Sequence, residues 1–324
     1  MKGMTPVIPD FKAIERAAQR LDGLAHRTPV LRSTYFDDLT KAAVFFKCEN
    51  FQKVGAFKFR GACNAIAALD PQLGQRGVVT HSSGNHGQAV ALAAKIKAYP
   101  AVVVMPANAA RVKIEAVRGY GAEIVFCEPN TPAREAAVGR LLKERGGYFV
   151  PPYNHPEVIA GQGTAAKELL EDHPDLDTIV APVGGGGLIS GTAIAARHMA
   201  PKCRVVAAEP ANADDAARSF RSGRIEPVAA TSTIADGLRT SLGELTFAVI
   251  YRHVDDVVTV SEEAIVEAMR LVWERMKIII EPSCAVPLAA ILEKRIKVAG
   301  CRVGIIITGG NVDLDTIGDL FSSG

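Results

Sequence analysis

The feature that most constrains this chain is an alternation: short runs rich in β-branched residues recur between longer stretches with helical spacing. AVFFKCE (43–49), GVVTHSS (77–83), AVVVMP (101–106), AEIVFC (122–127), TIVAPV (178–183), RVVAAEP (204–210) and VGIIITGG (303–310) read as strands that end in turn residues. Residues 87–97, 132–145, 262–276 and 282–294 have the lengths and spacing of helices crossing over between parallel strands. An α/β fold of open, mostly parallel sheets flanked by helices is expected. With 324 residues, 48% of them hydrophobic, the chain can bury a core large enough for two domains. The rhythm breaks at RGGYFVPPYNHP (145–156), where a small inserted domain is expected to end.

Charge and composition exclude several classes of partner. The formal net charge is +2 and no Lys/Arg block stands out, which leaves no electrostatic footprint for nucleic acid or an anionic membrane. No segment is apolar over the roughly 18 residues of a membrane span, and MKGMTPVIPDF lacks the pattern of a secretory leader. The six cysteines are scattered without a C-x-x-C pair or zinc-like spacing, as in reduced, buried thiols. A cytoplasmic protein acting on a small molecule is the expectation.

In open parallel sheets ligands gather beyond the carboxyl ends of strands, so polar or Gly-rich sequence after a strand is where chemistry is sought. Three segments stand out. In NFQKVGAFKFRGA (50–62), Lys58 lies between Phe57 and Phe59 just before a helix expected near Arg60. A desolvated amine there would lose its proton more readily, as a Schiff-base lysine must, although the segment taken alone reads as a surface lysine. In THSSGNHGQA (80–89), Ser82, Ser83, Asn85 and His86 collect at the start of a helix expected near Gln88. One hydroxyl or amide would cap that helix, so the surplus points to an anion such as a carboxylate. In VAPVGGGGLISGTA (180–193), Gly184, Gly185, Gly186 and Gly187 let backbone N–H groups close on a phosphate. The spacing is neither G-x-G-x-x-G nor a Walker A loop.

In this order, GAFKFRGA, SSGNHGQ, GGGGL and TGGN resemble the fold-type II pyridoxal-phosphate enzymes, in particular the group of serine/threonine dehydratases, serine racemases and threo-3-hydroxyaspartate ammonia-lyases. The likeness starts at HRTPVL (26–31), runs through EPANADDA (209–216) and IADGLRTSLG (234–243), and ends at ITGGNVDL (307–314). It implies a two-domain, tryptophan synthase β-like fold. Residues 1–50 and 150–324 would form a large cofactor-binding domain, and residues 51–149 a small mobile domain carrying the SSGNHG loop, with the Lys58 segment at the junction.

The resemblance also implies roles. Lys58 would carry pyridoxal phosphate and act as the base at Cα, and Phe57 would also bind the cofactor. Gly184 to Gly187 with Leu188 would hold the phosphate, Asn85 the phenolic oxygen and Thr308 the pyridine nitrogen. A hydroxyl cannot keep that nitrogen protonated as an aspartate would, which favours expulsion of a β-leaving group. Ser82, Ser83, Asn85 and the amides around His86 would bind the substrate α-carboxylate, and Ser83 would face the side opposite Lys58, where racemases need an acid. Glu209, Asp215 and the Ala213 carbonyl would bind Mg²⁺, or Ca²⁺ or Mn²⁺. The implied reaction is loss of water and ammonia from a β-hydroxy amino acid. L-threo-3-hydroxyaspartate is placed first and L-serine or L-threonine next, with Arg134, Arg239 and Thr240 as candidates for the substrate's far end. Serine racemisation, β-replacement and a cofactor-free binding module are the competing readings. A homodimer is expected.

Overall fold

The computed structural model describes residues 7–82, 84–109, 111–228 and 232–322. Ten strands are found among them: β1 (Val30–Leu31), β2 (Ala43–Cys48), β3 (Val78–His81), β4 (Ala101–Pro106), β5 (Glu123–Cys127), β6 (Tyr148–Phe149), β7 (Thr178–Pro182), β8 (Arg204–Pro210), β9 (Asp256–Val260) and β10 (Arg302–Ile307). They form a six-stranded sheet in the order β1-β2-β10-β7-β8-β9 and a four-stranded sheet in the order β5-β4-β3-β6. Every pairing is parallel except β1 with β2. The α/β class and its mostly parallel sheets are therefore as expected.

Side chains alternate across the larger sheet, and both faces are covered. Ile179, Val205, Ala207 and Ile306 point into a core shared with helices Pro156–Asp172 and Gly187–Met199. Val180, Val206, Ala208, Ile305 and Ile307 point the other way, against helices Glu262–Met276 and Pro282–Leu292. Burial on both faces is why these strands read as unbroken apolar runs rather than as alternating ones. The first pair of helices packs so closely that a Cβ on Gly191 would stand 2.5 Å from the Gly163 nitrogen. The smaller sheet is built the same way, with Val79 and Val104 facing helix Thr131–Arg145, and Val103 and Met105 facing helix Asn85–Ile96.

A buried ionic cluster fastens helix Lys58–Ala67 to the larger sheet. The Arg60 guanidinium donates to both oxygens of Glu49 (2.7 and 2.8 Å), to both oxygens of Glu168 (2.7 and 2.8 Å), to Thr164 and to the His26 carbonyl. Lys47, fully enclosed on β2, donates to Glu168 and to the Thr28 carbonyl. Burial alone would raise the Glu49 carboxyl, but the charge and hydrogen bonds of Arg60 outweigh it and hold Glu49 below the usual glutamate range. No helix among the described residues is long and apolar enough to cross a membrane, and all six cysteines are free thiols.

Candidate active site

The sheet order brings the three segments together. β10 lies between β2 and β7, so the loop leading from β2 to Lys58, the Thr308–Gly310 turn after β10 and the glycine run after β7 emerge side by side at the carboxyl ends of neighbouring strands. The first two are bonded to each other: the Phe57 N–H donates to the Thr308 carbonyl (2.9 Å), the Gly310 N–H to the Gly55 carbonyl (2.9 Å), and Ala56 bridges to Gly309.

Lys58 is the first residue of its helix, two positions earlier than expected. Its Nζ donates to the Pro152 carbonyl at 2.8 Å and stands 5.2 Å from the centre of the Phe57 ring. Burial of the amine pushes its pKa down to about 8, against the opposing pull of Glu281. An appreciable fraction is thus unprotonated near neutral pH, as imine formation requires.

The glycine run has no room for side chains. A Cβ on Gly185 would meet the Tyr153 ring at 2.3 Å, one on Gly187 the Gln162 Oε1 at 2.7 Å, and one on Gly184 the Leu238 Cα at 2.9 Å and the Thr240 Oγ1 at 3.2 Å. Gly186 sits at φ +87°, in the left-handed region, and caps the helix that begins at Gly187. Both amide atoms of Gln162 are buried beside this loop without a hydrogen-bond partner. These are the marks of a phosphate cradle at a helix N-terminus, and with Lys58 they fit the cofactor that the sequence resemblance implies. Leu188 is buried behind the loop.

At the end of β10, Thr308 is buried and its Oγ1 lies 3.0 Å from the Cys284 Sγ. Asn85 opens the helix after β3 and points its amide nitrogen at Glu281, 3.0 and 3.1 Å from the two carboxyl oxygens. In the same loop the Gly84 N–H bonds to the Ser82 hydroxyl. His86 is buried with Nε2 on the Val150 carbonyl at 3.0 Å, and burial, with Lys58 nearby, pushes its pKa down to about 3. The Val150 contact occupies Nε2, while Nδ1 is buried without a hydrogen-bond partner. Ser83 lies outside the described residues.

Of the two arginines, Arg134 bonds weakly to the Asn130 carbonyl of its own helix (3.4 Å) and acts electrostatically on His81, next to the loop. Arg239 directs Nε to the Thr233 carbonyl at 2.9 Å and a second nitrogen to the same oxygen. Lys113 was not anticipated. Its Nζ is 3.9 Å from the position of a Cβ on Gly84 and pairs with Asp236 at 2.8 Å, linking the loop after β3 to the segment that carries Arg239 and Thr240. Nothing in the local sequence marks Glu281, Cys284 or Gln162, and Asn311 stands out only as the end of TGGN.

The expected metal ligands lie at the end of β8. Glu209 is enclosed and accepts from the N–H groups of Ala216 (3.2 Å) and Ala217 (2.6 Å). Asp215 is also enclosed, and neither of its oxygens has a hydrogen-bond partner of normal geometry, although the Leu242 amide dipole is directed at it. Burial pushes Glu209 up to about 9, with Asp215 adding to the shift, and pushes Asp215 up to about 7. Ala213 is buried in the 3₁₀ turn between them.

Comparison with known proteins agrees with this geometry. Residues 21–309 match the family described as pyridoxal-phosphate dependent enzymes. The chain is 50% identical over 310 residues to a β-hydroxyaspartate dehydratase of Paracoccus denitrificans, covering 96% of this chain and 98% of the relative. It is 46% identical over 317 residues to an L-threo-3-hydroxyaspartate ammonia-lyase of Saccharomyces cerevisiae, covering 98% and 97%. The crystal structure of serine racemase from Dictyostelium discoideum superposes with a TM-score of 0.91 at 49% identity, over 95% of this chain and 100% of that one.

Proposed function

Because the chain belongs to the pyridoxal-phosphate dependent enzymes, we propose that it is a dehydratase that converts a β-hydroxy amino acid, L-threo-3-hydroxyaspartate first among them, into a 2-keto acid and ammonium. The observation that carries this is the junction of Lys58 with Thr308: a readily deprotonated amine is stitched by backbone hydrogen bonds to a buried hydroxyl at the end of β10. Bound there, the cofactor would supply the electron sink for the substrate Cα.

The chain's own groups do the rest. Lys58 would hold the cofactor through Nζ, and the same Nζ would take the substrate Cα proton. The loop from Ser82 through Ser83, Asn85 and the His86 amide binds the α-carboxylate and sets the Cα–H bond toward Lys58. Gly184 to Gly187 and Leu188 would hold the phosphate, and Asn85 would meet the phenolic oxygen. Thr308 would offer the pyridine nitrogen a hydroxyl and no negative charge, which favours loss of a β-leaving group. The large unit comprises 1–50 and 150–324, and the small one, 51–149, carries the carboxylate loop.

Glu209, Asp215 and the Ala213 carbonyl bind Mg²⁺ or a similar hard cation, since burial disfavours two neighbouring anionic carboxylates and a bound cation would offset that cost. The free thiols suit a cytoplasmic enzyme. Exposed Phe51 and Ile279, joined through Asn50, give a second copy of the chain an apolar surface to cover.

The test is keto-acid formation from L-threo-3-hydroxyaspartate, L-serine, L-threonine and D-serine. The highest kcat/KM is expected for hydroxyaspartate, and no keto acid from any of them would overturn the reading. A distal carboxylate must be met by a cation in so enclosed a site, so Arg134→Ala, Arg239→Ala and Lys113→Ala should each be compared on hydroxyaspartate and serine. A selective loss on hydroxyaspartate identifies the clamp, and equal losses return serine to first place. Serine racemisation is the second reading, favoured by the 49% identity to the Dictyostelium racemase. It requires Ser83 to protonate the face opposite Lys58, and D-serine formation that disappears in Ser83→Ala would establish it.

A further inference from the structure

Asn85 is one link in a run of polar groups drawn from four separate segments. Its Oδ1 accepts from Asn311 Nδ2 at 2.9 Å, and the same Asn311 nitrogen donates to the Val54 carbonyl at 2.7 Å. Its Nδ2 faces both oxygens of Glu281 at 3.0 and 3.1 Å. The chemistry of the partners permits one orientation only. A carboxylate can accept but not donate, whereas the amide nitrogen of Asn311 can donate but not accept. A flipped Asn85 would set oxygen against carboxylate and NH₂ against NH₂. Asn311 is kept from flipping by the Val54 carbonyl. Glu281 is fixed in turn, because its N–H donates to the Gly309 carbonyl at 3.0 Å and its Oε1 lies 2.8 Å from where a Cβ on Gly309 would be.

We propose that Glu281 and Asn311 are positioning residues that lock the Asn85 amide with one N–H turned to the cofactor's phenolic oxygen. This rests on the reading above that Asn85 meets that oxygen. The lock is also sensitive to pH. Burial and the nearby Asp236 push the Glu281 carboxyl up to about 7, opposed by the Asn85 hydrogen bond and by Lys113, and the Lys58 amine faces the same carboxyl. Protonated, Glu281 can donate as well as accept, and it no longer discriminates between the two orientations of Asn85. The lock therefore tightens as pH rises through 7.

The experiment compares Asn85→Ala, Asn311→Ala, Glu281→Ala and Glu281→Gln with the parent protein. Pyridoxal-phosphate affinity is measured by titrating the apoenzyme, the cofactor absorbance maximum is followed from pH 6 to 9, and thermal unfolding of each apoprotein is recorded. Loss of a hydrogen bond aligned by a charged group should weaken cofactor binding about tenfold or more in Glu281→Ala and Asn311→Ala. Both should shift the absorbance maximum in the same direction as Asn85→Ala. Glu281→Gln, like the protonated acid, can donate as well as accept, so at every pH it should bind as the parent does at the acid end of the range and lose the absorbance change near pH 7. Parental affinity and spectra in Glu281→Ala and Asn311→Ala, beside an impaired Asn85→Ala, would overturn the positioning role alone. Parental behaviour in Asn85→Ala would remove the reading of Asn85 and the lock with it. Should Glu281→Ala fail to fold, Asn311→Ala and the pH response of Glu281→Gln decide the matter.

Discussion

Replacing Arg60 by methionine keeps an unbranched apolar stem and removes the charge from a site where Arg60 is 1% exposed and Glu49 is 0% exposed. Taking one partner from a buried ion pair costs about 3–5 kcal/mol, because the remaining charge stays desolvated. Here Glu49 would keep the Thr28 hydroxyl at 2.6 Å and the nearby Lys47 ammonium, and Glu168 would keep Lys47 at 2.6 Å, which places the loss near the lower end. About 3 kcal/mol in a chain of this size lowers Tm by about 4 °C. Thermal and urea unfolding of the apoprotein measure it. Glu49→Gln alone should also destabilise, since a neutral amide leaves Arg60 partly unpaired. The double variant should recover much of the sum, because a neutral pair avoids the desolvation cost. Arg60 is in the first turn of the helix opened by Lys58, so the single variant should also bind the cofactor more weakly. The sign of the pH effect follows from Glu49: its folded pKa is depressed, so the stability it confers is present above about pH 4.5 and fades as pH falls through the folded value. A loss under about 1 kcal/mol, or costs that simply add in the double variant, would refute the claim that the pair is coupled.

Gly185→Ala forces a methyl against the Tyr153 ring at 2.3 Å, so cofactor affinity should fall at least about tenfold; Gly185→Ala with Tyr153→Ala should recover part of it, and unchanged affinity in the single variant would remove the cradle. The rate of cofactor uptake by apoenzyme should rise with pH and level off above about 8, as Lys58 loses its proton, whereas a flat profile in stopped-flow absorbance would contradict the assigned amine. Chelator should lower both Tm and activity, and Mg²⁺ should restore both in the parent but neither in Asp215→Ala; full activity and stability in chelator would dismiss the cation site.

What the sequence made legible was what local pattern can encode. The glycine run, the helix over residues 262–276 and the apolar strands are all set by spacing within a dozen residues, and they form where expected. Strand β9 was not anticipated. DVVTV lies at an edge of the sheet behind two aspartates, and its half-exposed pattern has neither a clean alternation nor an unbroken apolar run. β6 is only two residues long and falls inside the segment read as a boundary. Asn85 opens its helix three residues before the expected start, because polar loop residues carry no hydrophobic period to mark the first turn.

The partners that orient the site were invisible for a different reason. Glu281 is 196 residues from Asn85, Asn311 is 226 from it, and Lys113 is 123 from Asp236. In sequence Glu281 looks like an ordinary acid in front of a Pro-initiated helix, and Lys113 like one more solvated cation on an amphipathic one. Only the strand order gives them meaning. Because β10 lies between β2 and β7, the loop leading to Lys58, Thr308 and the glycine cradle follow the carboxyl ends of three adjacent strands. One small ligand can therefore touch all three. Insertion of β10 from the far end of the chain is also what carries Gly309 to Glu281 and Asn311 to Asn85. A change to the register of β10 against β2, in which Ile307 stands opposite Cys48, would thus disturb the amine, the hydroxyl and the amide lock together. A substitution in the glycine loop should spare the lock and affect the cradle alone.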